Sequence, residues 1–273
     1  MANGKAATAA RYPGYELLGV KVHPLTMDDL HEIIAGAIAA REKTIIVSQN
    51  LHSVYVYNRD ARMRELHARA DYMRIDGMPL VWLGRLLGYP LRIEHRVTWV
   101  DWLKPLMTVA ATNGWRVFYL GSAPGVAERG AKRLQSELPE LQIAVAHGYF
   151  DARPGSEENK RVIELIEAFD TDILIVGMGM PRQEHWILDN LDRIRASAIL
   201  TSGACMDYYA GVVSTPPRWM GKVGLEWFYR FMGNPRRFAR RYFVEPWVVP
   251  PLFVRDLVTL WRQRRRPTSQ GHC

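Results

Sequence analysis

From Thr44 onward the chain repeats one pattern: a short run of β-branched and apolar residues, a loop holding glycine, serine or asparagine, then a helical stretch. Thr44 to Val47 is the first such run, ending at Ser48-Gln49-Asn50-Leu51-His52. Tyr72 to Ile75, Arg116 to Leu120, Gln142 to Ala146, Asp172 to Val176 and Ala198 to Thr201 follow. Helical spacing fills the intervals after His52 to about Arg69, and over Val126 to Leu138, Glu157 to Phe169 and Pro181 to Ile194. Strands separated by helices of ten or more residues imply a parallel sheet covered on both faces, an α/β fold. In such sheets ligands bind outside the C-terminal ends of the strands. The loops after the strands are therefore where chemistry is sought.

The two ends of the chain read differently. Residues 1–15 are expected to be a loose arm. Glu16 to Val22 reads as a first strand stopped by Pro24, and Thr26 with Asp29 caps a helix carrying Leu30, Ile33, Ile34 and Ala37 on one face. The α/β body then spans 16–211. Beyond Gly211 the sequence turns rich in Trp, Tyr, Phe and Arg, which predicts a C-terminal helical appendage over 212–260 and a disordered basic tail over 261–273. From Ser214 to Cys273 there are twelve Lys and Arg against three acids, +9, while residues 1–213 sum to −1. A near-neutral body thus carries a basic attachment surface. Aromatics interleaved with arginines suit an anionic membrane surface, or equally a solvated basic helix packing its rings inward. The N-terminus lacks an apolar stretch of signal-peptide length, and the apolar run Trp247 to Val254 is too short to span a bilayer and holds two prolines. Two distant cysteines, Cys205 and Cys273, give neither a disulfide framework nor a Cys metal site.

Tyr72-Met73-Arg74-Ile75-Asp76-Gly77-Met78-Pro79 places one carboxylate, Asp76, where a strand ends and a helix begins. An Asp-Gly turn without function has the same spelling. Gly121 to Gly125, Gly177 to Pro181 (with Gly179 at its centre) and Ser202-Gly203-Ala204 are loops whose backbone N–H groups suit a diphosphate, or glycines needed only for tight turns. Arg96 is set to bind phosphate or to pair with Asp101. Gln183 and Glu184 occupy a polar first helical turn, a place for capping or for holding a ligand oxygen. The acidic pair Asp170 and Asp172 precedes its strand and so falls on the wrong sheet edge for a metal-nucleotide site. His52, His95, His147 and His185 show no ligand spacing, and no metal is assigned.

Taken together, Ser48-x-Asn50, Ile75-Asp76-Gly77-Met78-Pro79, Arg96-Val97-Thr98, Gly179-Met180-Pro181-x-Gln183-Glu184-x-Trp186 and Gly224-Leu225-Glu226-Trp227-x-x-Arg230 occur in that order. The set resembles the WecG/TagA/CpsF glycosyltransferases over roughly residues 16–245. The resemblance implies a Rossmann-like body that transfers a sugar from a UDP-sugar to a polyprenyl-diphosphate-linked sugar, with inversion, without metal or other cofactor. It implies a peripheral protein on the cytoplasmic face of the bacterial inner membrane, docked by its appendage. It also implies Asp76 as the general base, with Ser48 (where the family usually has Thr), Asn50, Arg96 and Gln183 lining the pocket. Arg230 and Arg237 follow as cations for the diphosphate. The chain departs from the family pattern at Trp99 for a usual Gly, Thr215-Pro216-Pro217 for Arg-Ala-Pro, and Ser202-Gly203 for Gly-Gly.

Two other readings compete. A nucleotide-cofactor-dependent oxidoreductase shares the sheet but should carry G-x-G-x-x-G, which is absent. A basic membrane- or nucleic-acid-binding module explains the tail but not a pocket-forming body; no nucleic-acid partner is expected. A homo-oligomer that hides the appendage in a dimer is compatible with the sequence.

Overall fold

A computed structural model describes residues 11–265, apart from the side chains of Lys222, Arg237, Arg264 and Arg265. Its centre is a six-stranded, all-parallel sheet of β3 (Thr44–Gln49), β4 (Tyr72–Ile75), β5 (Arg116–Gly121), β6 (Gln142–Ala146), β7 (Ile173–Gly177) and β8 (Ala198–Thr201), in the order β4-β3-β8-β7-β5-β6. The predicted strands therefore form, each within a residue or two of its expected ends.

Alternation along each strand sends neighbouring side chains to opposite faces. On one face Ile46, Tyr72, Val117, Tyr119, Ile175 and Leu200 pack against α1 (Met27–Ala40), α5 (Trp99–Asn113), α6 (Val126–Glu137) and α9 (Cys205–Tyr209). On the other, Ile45, Val47, Met73, Phe118, Leu120, Val176 and Ile199 pack against α3 (Ala61–Arg69), α7 (Glu157–Ala168) and α8 (Arg182–Asn190). Before α3, the short α2 (Leu51–Tyr57) opens with Asn50 as its cap, whose side chain accepts the Ser53 N–H. The chain thus leaves β3 toward one face and the adjacent β8 toward the other.

A third cluster sits beyond the β4 edge. It joins α4 (Met78–Leu86), α2 and an antiparallel hairpin of β1 (Tyr15–Leu17) and β2 (Val20–Val22). The single first strand expected over Glu16–Val22 is therefore two strands. Leu18 and Gly19 both take positive φ, 55° and 76°, making a tight two-residue turn. Leucine resists that conformation by ~1–2 kcal/mol, and full burial of its side chain in the cluster offsets the cost.

The C-terminal segment is helical: α10 (Arg218–Lys222), α11 (Glu226–Gly233), α12 (Pro235–Phe243), a 3-10 turn Glu245–Val248, and α13 (Val249–Arg265). Val248, Val249, Leu252, Phe253 and Leu260 close the third cluster from outside. Two expectations at the termini change. The helix runs on to Arg265, through the start of the stretch read as a disordered tail; the remainder of that tail, 266–273, lies outside the described residues. Of the expected arm, 1–10 likewise lie outside them, whereas Tyr12 is buried and hydrogen-bonds Glu32. No helix among the described residues is long and apolar enough to cross a membrane.

Candidate active site

A cavity of about 260 Å³ opens at the C-terminal ends of β3 and β4. The sheet supplies Asn50 and Asp76 from the two strand ends, and the first turn of α4 supplies Met78 and Pro79. Arg96 and Thr98 come from the loop before α5. The outer wall is the C-terminal segment: Gly221, Gly224, Glu226, Trp227, Arg230, Arg241, Tyr242 and Pro246. Three guanidinium groups and two carboxylates thus line the cavity, with the polar side chains of Asn50, His52, Thr98 and Tyr242 among apolar ones.

Asp76 follows β4 directly. Its N–H donates to the Gln49 carbonyl at 2.7 Å, continuing the strand pairing by one residue and fixing the backbone. Asn50 Nδ2 donates to Asp76 Oδ2 at 3.2 Å, and Arg74 Nη1 lies 3.5 Å from Oδ1. The carboxylate keeps 27% of its surface exposed, toward the cavity. Packing is close at Gly77, where a Cβ would lie 3.3 Å from Asn50 Cβ.

Arg96 is held on both sides. Its backbone bridges to Ile75, and its guanidinium reaches Asp101 at 3.9 Å and Glu226 of α11 at 3.6 Å. Asp101 in turn accepts from Thr98 at 2.9 Å and pairs with Arg218 of α10. A Cβ on Gly221 would lie 2.6 Å from both the Arg96 guanidinium and the Glu226 carboxylate, so glycine leaves room for that ion pair. Arg230 stacks its guanidinium over the Tyr208 ring at 5.3 Å, and its buried Nε–H has no hydrogen-bond partner. Burial lowers the pKa of the Arg241 guanidinium, which also senses Asp76. His52 Nδ1 lies 2.6 Å from the buried carboxylate of Glu245, tying the wall to α2; burial pulls the pKa of that imidazole down.

Of the residues singled out in the sequence, Asn50, Asp76, Arg96 and Arg230 meet in this cavity, with Asp101 behind Arg96. Ser48 stands one layer back. Its Oγ donates to the Thr201 carbonyl at 2.9 Å and accepts from Arg74 at 2.7 Å, so its hydroxyl is engaged on both sides. The glycine loops lie farther along the same sheet edge, outside the cavity lining. There Gly121 is needed for packing, since a Cβ would strike the Gly177 carbonyl at 2.4 Å. Gly179 takes φ +82° with open space beside it. Gln183 is buried and joins two of these loops: its Oε1 accepts from Gly179 N–H at 3.2 Å and Gly203 N–H at 3.1 Å. Its Nε2 donates to Glu184 Oε1 at 2.7 Å. Burial pushes Glu184 up to about 7, and its Oε2 has no partner. The Arg237 side chain lies outside the described residues. Asp170 and Asp172 sit at the opposite sheet edge, both paired with Arg116. No group of three or more His, Cys, Asp or Glu placed to hold a metal occurs among the described residues.

Sequence reasoning missed Arg74, Arg241, Glu226 and His52. Arg74 is hidden inside a strand, and the other three gain their meaning only from how the C-terminal helices dock.

A family model described as "Glycosyl transferase WecG/TagA/CpsF family" matches residues 15–267. Among curated relatives are the N-acetylglucosaminyldiphosphoundecaprenol N-acetyl-beta-D-mannosaminyltransferases of Staphylococcus aureus strains MRSA252 and MW2. Each is 29% identical over 227 residues, covering 82% of this chain and 87% of the relative.

Proposed function

The chain belongs to the WecG/TagA/CpsF family of glycosyltransferases, and from that premise we propose that it moves a sugar from a UDP-sugar onto a polyprenyl-diphosphate-linked sugar, with inversion. The relatives' names make N-acetylmannosamine the first sugar to try on the UDP donor, and N-acetylglucosamine on undecaprenyl diphosphate the first acceptor. The observation that carries the reading is the pairing, in one cavity, of a positioned, part-exposed carboxylate with several guanidinium groups.

Transfer needs a base for the acceptor hydroxyl and positive charge for the leaving diphosphate. Asp76 takes the hydroxyl proton as the oxygen attacks the anomeric carbon and the bond to UDP breaks. Arg96, Arg230 and Arg241 face the side on which diphosphate charge develops. The unpartnered Arg230 Nε–H is a donor of the kind such an oxyanion recruits. Because these groups supply the positive charge, transfer is expected to proceed unchanged in excess EDTA; a loss restored by Mg²⁺ would refute that part. Asp76→Asn should still fold, at a lower melting temperature because the buried Arg74 loses its counter-ion, and should keep UDP affinity while transfer falls by ~10²–10⁴-fold. Wild-type turnover in that variant, with the UDP-sugar and prenyl-diphosphate acceptor above, would sink the assignment. The protein is further proposed to act as a peripheral protein at the cytoplasmic face of the membrane that holds its acceptor.

A further inference from the structure

We propose that Arg74 is a positioning residue for the transfer reaction: from behind the cavity it holds the Asp76 carboxylate in place and aimed at the acceptor. The inference rests on the reading of Asp76 as the base.

An arginine is out of place at this point in the chain. Tyr72 to Ile75 is buried throughout, and Arg74 is only 1% exposed. A guanidinium does not give up its proton in proteins, so the charge is buried as a charge. That is tolerated only with a counter-ion and filled hydrogen bonds. Each requirement is met by a specific group. Strand alternation places residues 74 and 76 on the same face, and Asp76 Oδ1 is 3.5 Å from Nη1. Arg74 is the register partner of Ser48 on β3, and Nη2 donates to Ser48 Oγ at 2.7 Å. Nη1 donates to the Val97 carbonyl, in the loop that carries Arg96. The ring faces of Trp99 and Trp102 lie 5.2 and 5.3 Å from Cζ, so the cation is sheathed by π systems. Trp99 is itself pinned, its Nε1 donating to the Thr201 carbonyl at 2.8 Å, the same carbonyl that receives the Ser48 hydroxyl.

The consequence falls on Asp76. With Asn50 on Oδ2 and Arg74 on Oδ1, the carboxylate is gripped by a neutral donor on one oxygen and a cation on the other. Its rotation is restricted and its open side is toward the cavity. A purely structural ion pair would have no reason to leave its carboxylate partly exposed there. Arg74 is not among the residues that line the cavity, so its influence on transfer runs through Asp76.

The test is a cycle of four proteins (wild type, Arg74→Met, Asp76→Asn and the double variant), assayed with a UDP-sugar and a soluble prenyl-diphosphate acceptor. Arg74→Met should lower kcat about tenfold or more, since a misaimed group loses rate steeply. Its KM for either substrate should stay within about twofold, since the lost aim acts on the chemical step and not on binding. In the Asp76→Asn background the same change should alter the residual rate less than about threefold, the near-silence expected when two residues act as one unit. Arg74→Lys should recover only part of kcat, since a point charge cannot fork to Ser48, Val97 and Asp76 together. Equal fold-losses in the two backgrounds, or an unchanged kcat in a folded Arg74→Met, would overturn the proposal. Should Arg74→Met fail to fold, Ser48→Ala and Arg74→Lys make the same comparison. A Ser48→Ala variant with unchanged kcat would then count against it. Full activity in Asp76→Asn would instead remove the reading on which the inference stands.

Discussion

At the scale of single residues, buried polar groups divide into those with a chemical task and those that set stability. Glu184 belongs to the second kind. It is almost wholly enclosed, one oxygen takes the Gln183 amide, the other takes nothing, and burial pushes it up to about 7. A carboxyl raised in the folded state favours folding most at low pH. The unfolded chain releases this proton near the ordinary glutamate value, and the folded chain only near 7. Stability should therefore fall as pH rises through that window and level off above it. At ~1.4 kcal/mol per unit the loss is on the order of 3 kcal/mol. Glu184→Gln, which is neutral throughout, should flatten the slope in urea titrations between pH 5 and 8; an unchanged slope would mean that the group does not titrate there. Legibility in the sequence follows the same division. Asp76 could be found because a carboxylate beside Gly and Pro at a strand end stands out. Arg74 could not: within a strand of four buried residues, only the cross-strand position of Ser48 and the tryptophans of a helix 25 residues onward give it meaning.

At the scale of elements, the chain's local signals served best where each element could be judged alone. The strands β3 to β8 carry β-branched runs with turns at both ends, and the cap at Thr26 forms the reciprocal box its spelling suggests. The first hairpin failed that test because its tight turn has Leu rather than Asn or Asp before Gly19. What holds that hairpin is remote in sequence. Leu18 N–H donates to Asp256 Oδ2 of α13, and Arg255 packs over Gly19, where a Cβ would meet its guanidinium at 2.8 Å. A turn with a poor local preference is thus fixed by a helix more than 230 residues later. Asp256→Ala strands a largely buried N–H and should cost ~1–3 kcal/mol. The midpoint of urea unfolding should drop with little change in slope; an unaltered midpoint would show that the helix only rests on the hairpin.

At the scale of the molecule, the cations of the appendage divide by direction. Arg218, Arg230 and Arg241 turn inward, to Asp101, Tyr208 and the cavity. Arg236, Arg240, Arg255 and Arg262 remain on the surface. Around them Trp219, Met232, Phe243, Val244, Trp247 and Trp261 are each more than half exposed. The composition counted twelve cations in this region but could not say which were committed to the site, because that depends on how α10 to α12 fold over the ends of β3 and β4. The outward set fits a lipid surface, with rings at the interface and arginines on headgroup phosphates, each worth about 1 kcal/mol near an anionic leaflet. Seated there, the protein would bring its cavity wall to the depth at which a prenyl-diphosphate presents its sugar. Flotation with vesicles containing about a third anionic lipid should carry the wild-type protein upward at low salt. Raising the salt toward ~0.5 M, where screening shortens the reach of the arginines to a few ångströms, should weaken it. Phe243→Ser with Trp247→Ser should reduce flotation at least several-fold while leaving transfer to a soluble short-chain acceptor within about twofold, because neither side chain lines the cavity. If the double variant floats as well as the wild type, those rings do not anchor the protein. If it also loses transfer to the soluble acceptor, they support the cavity wall instead.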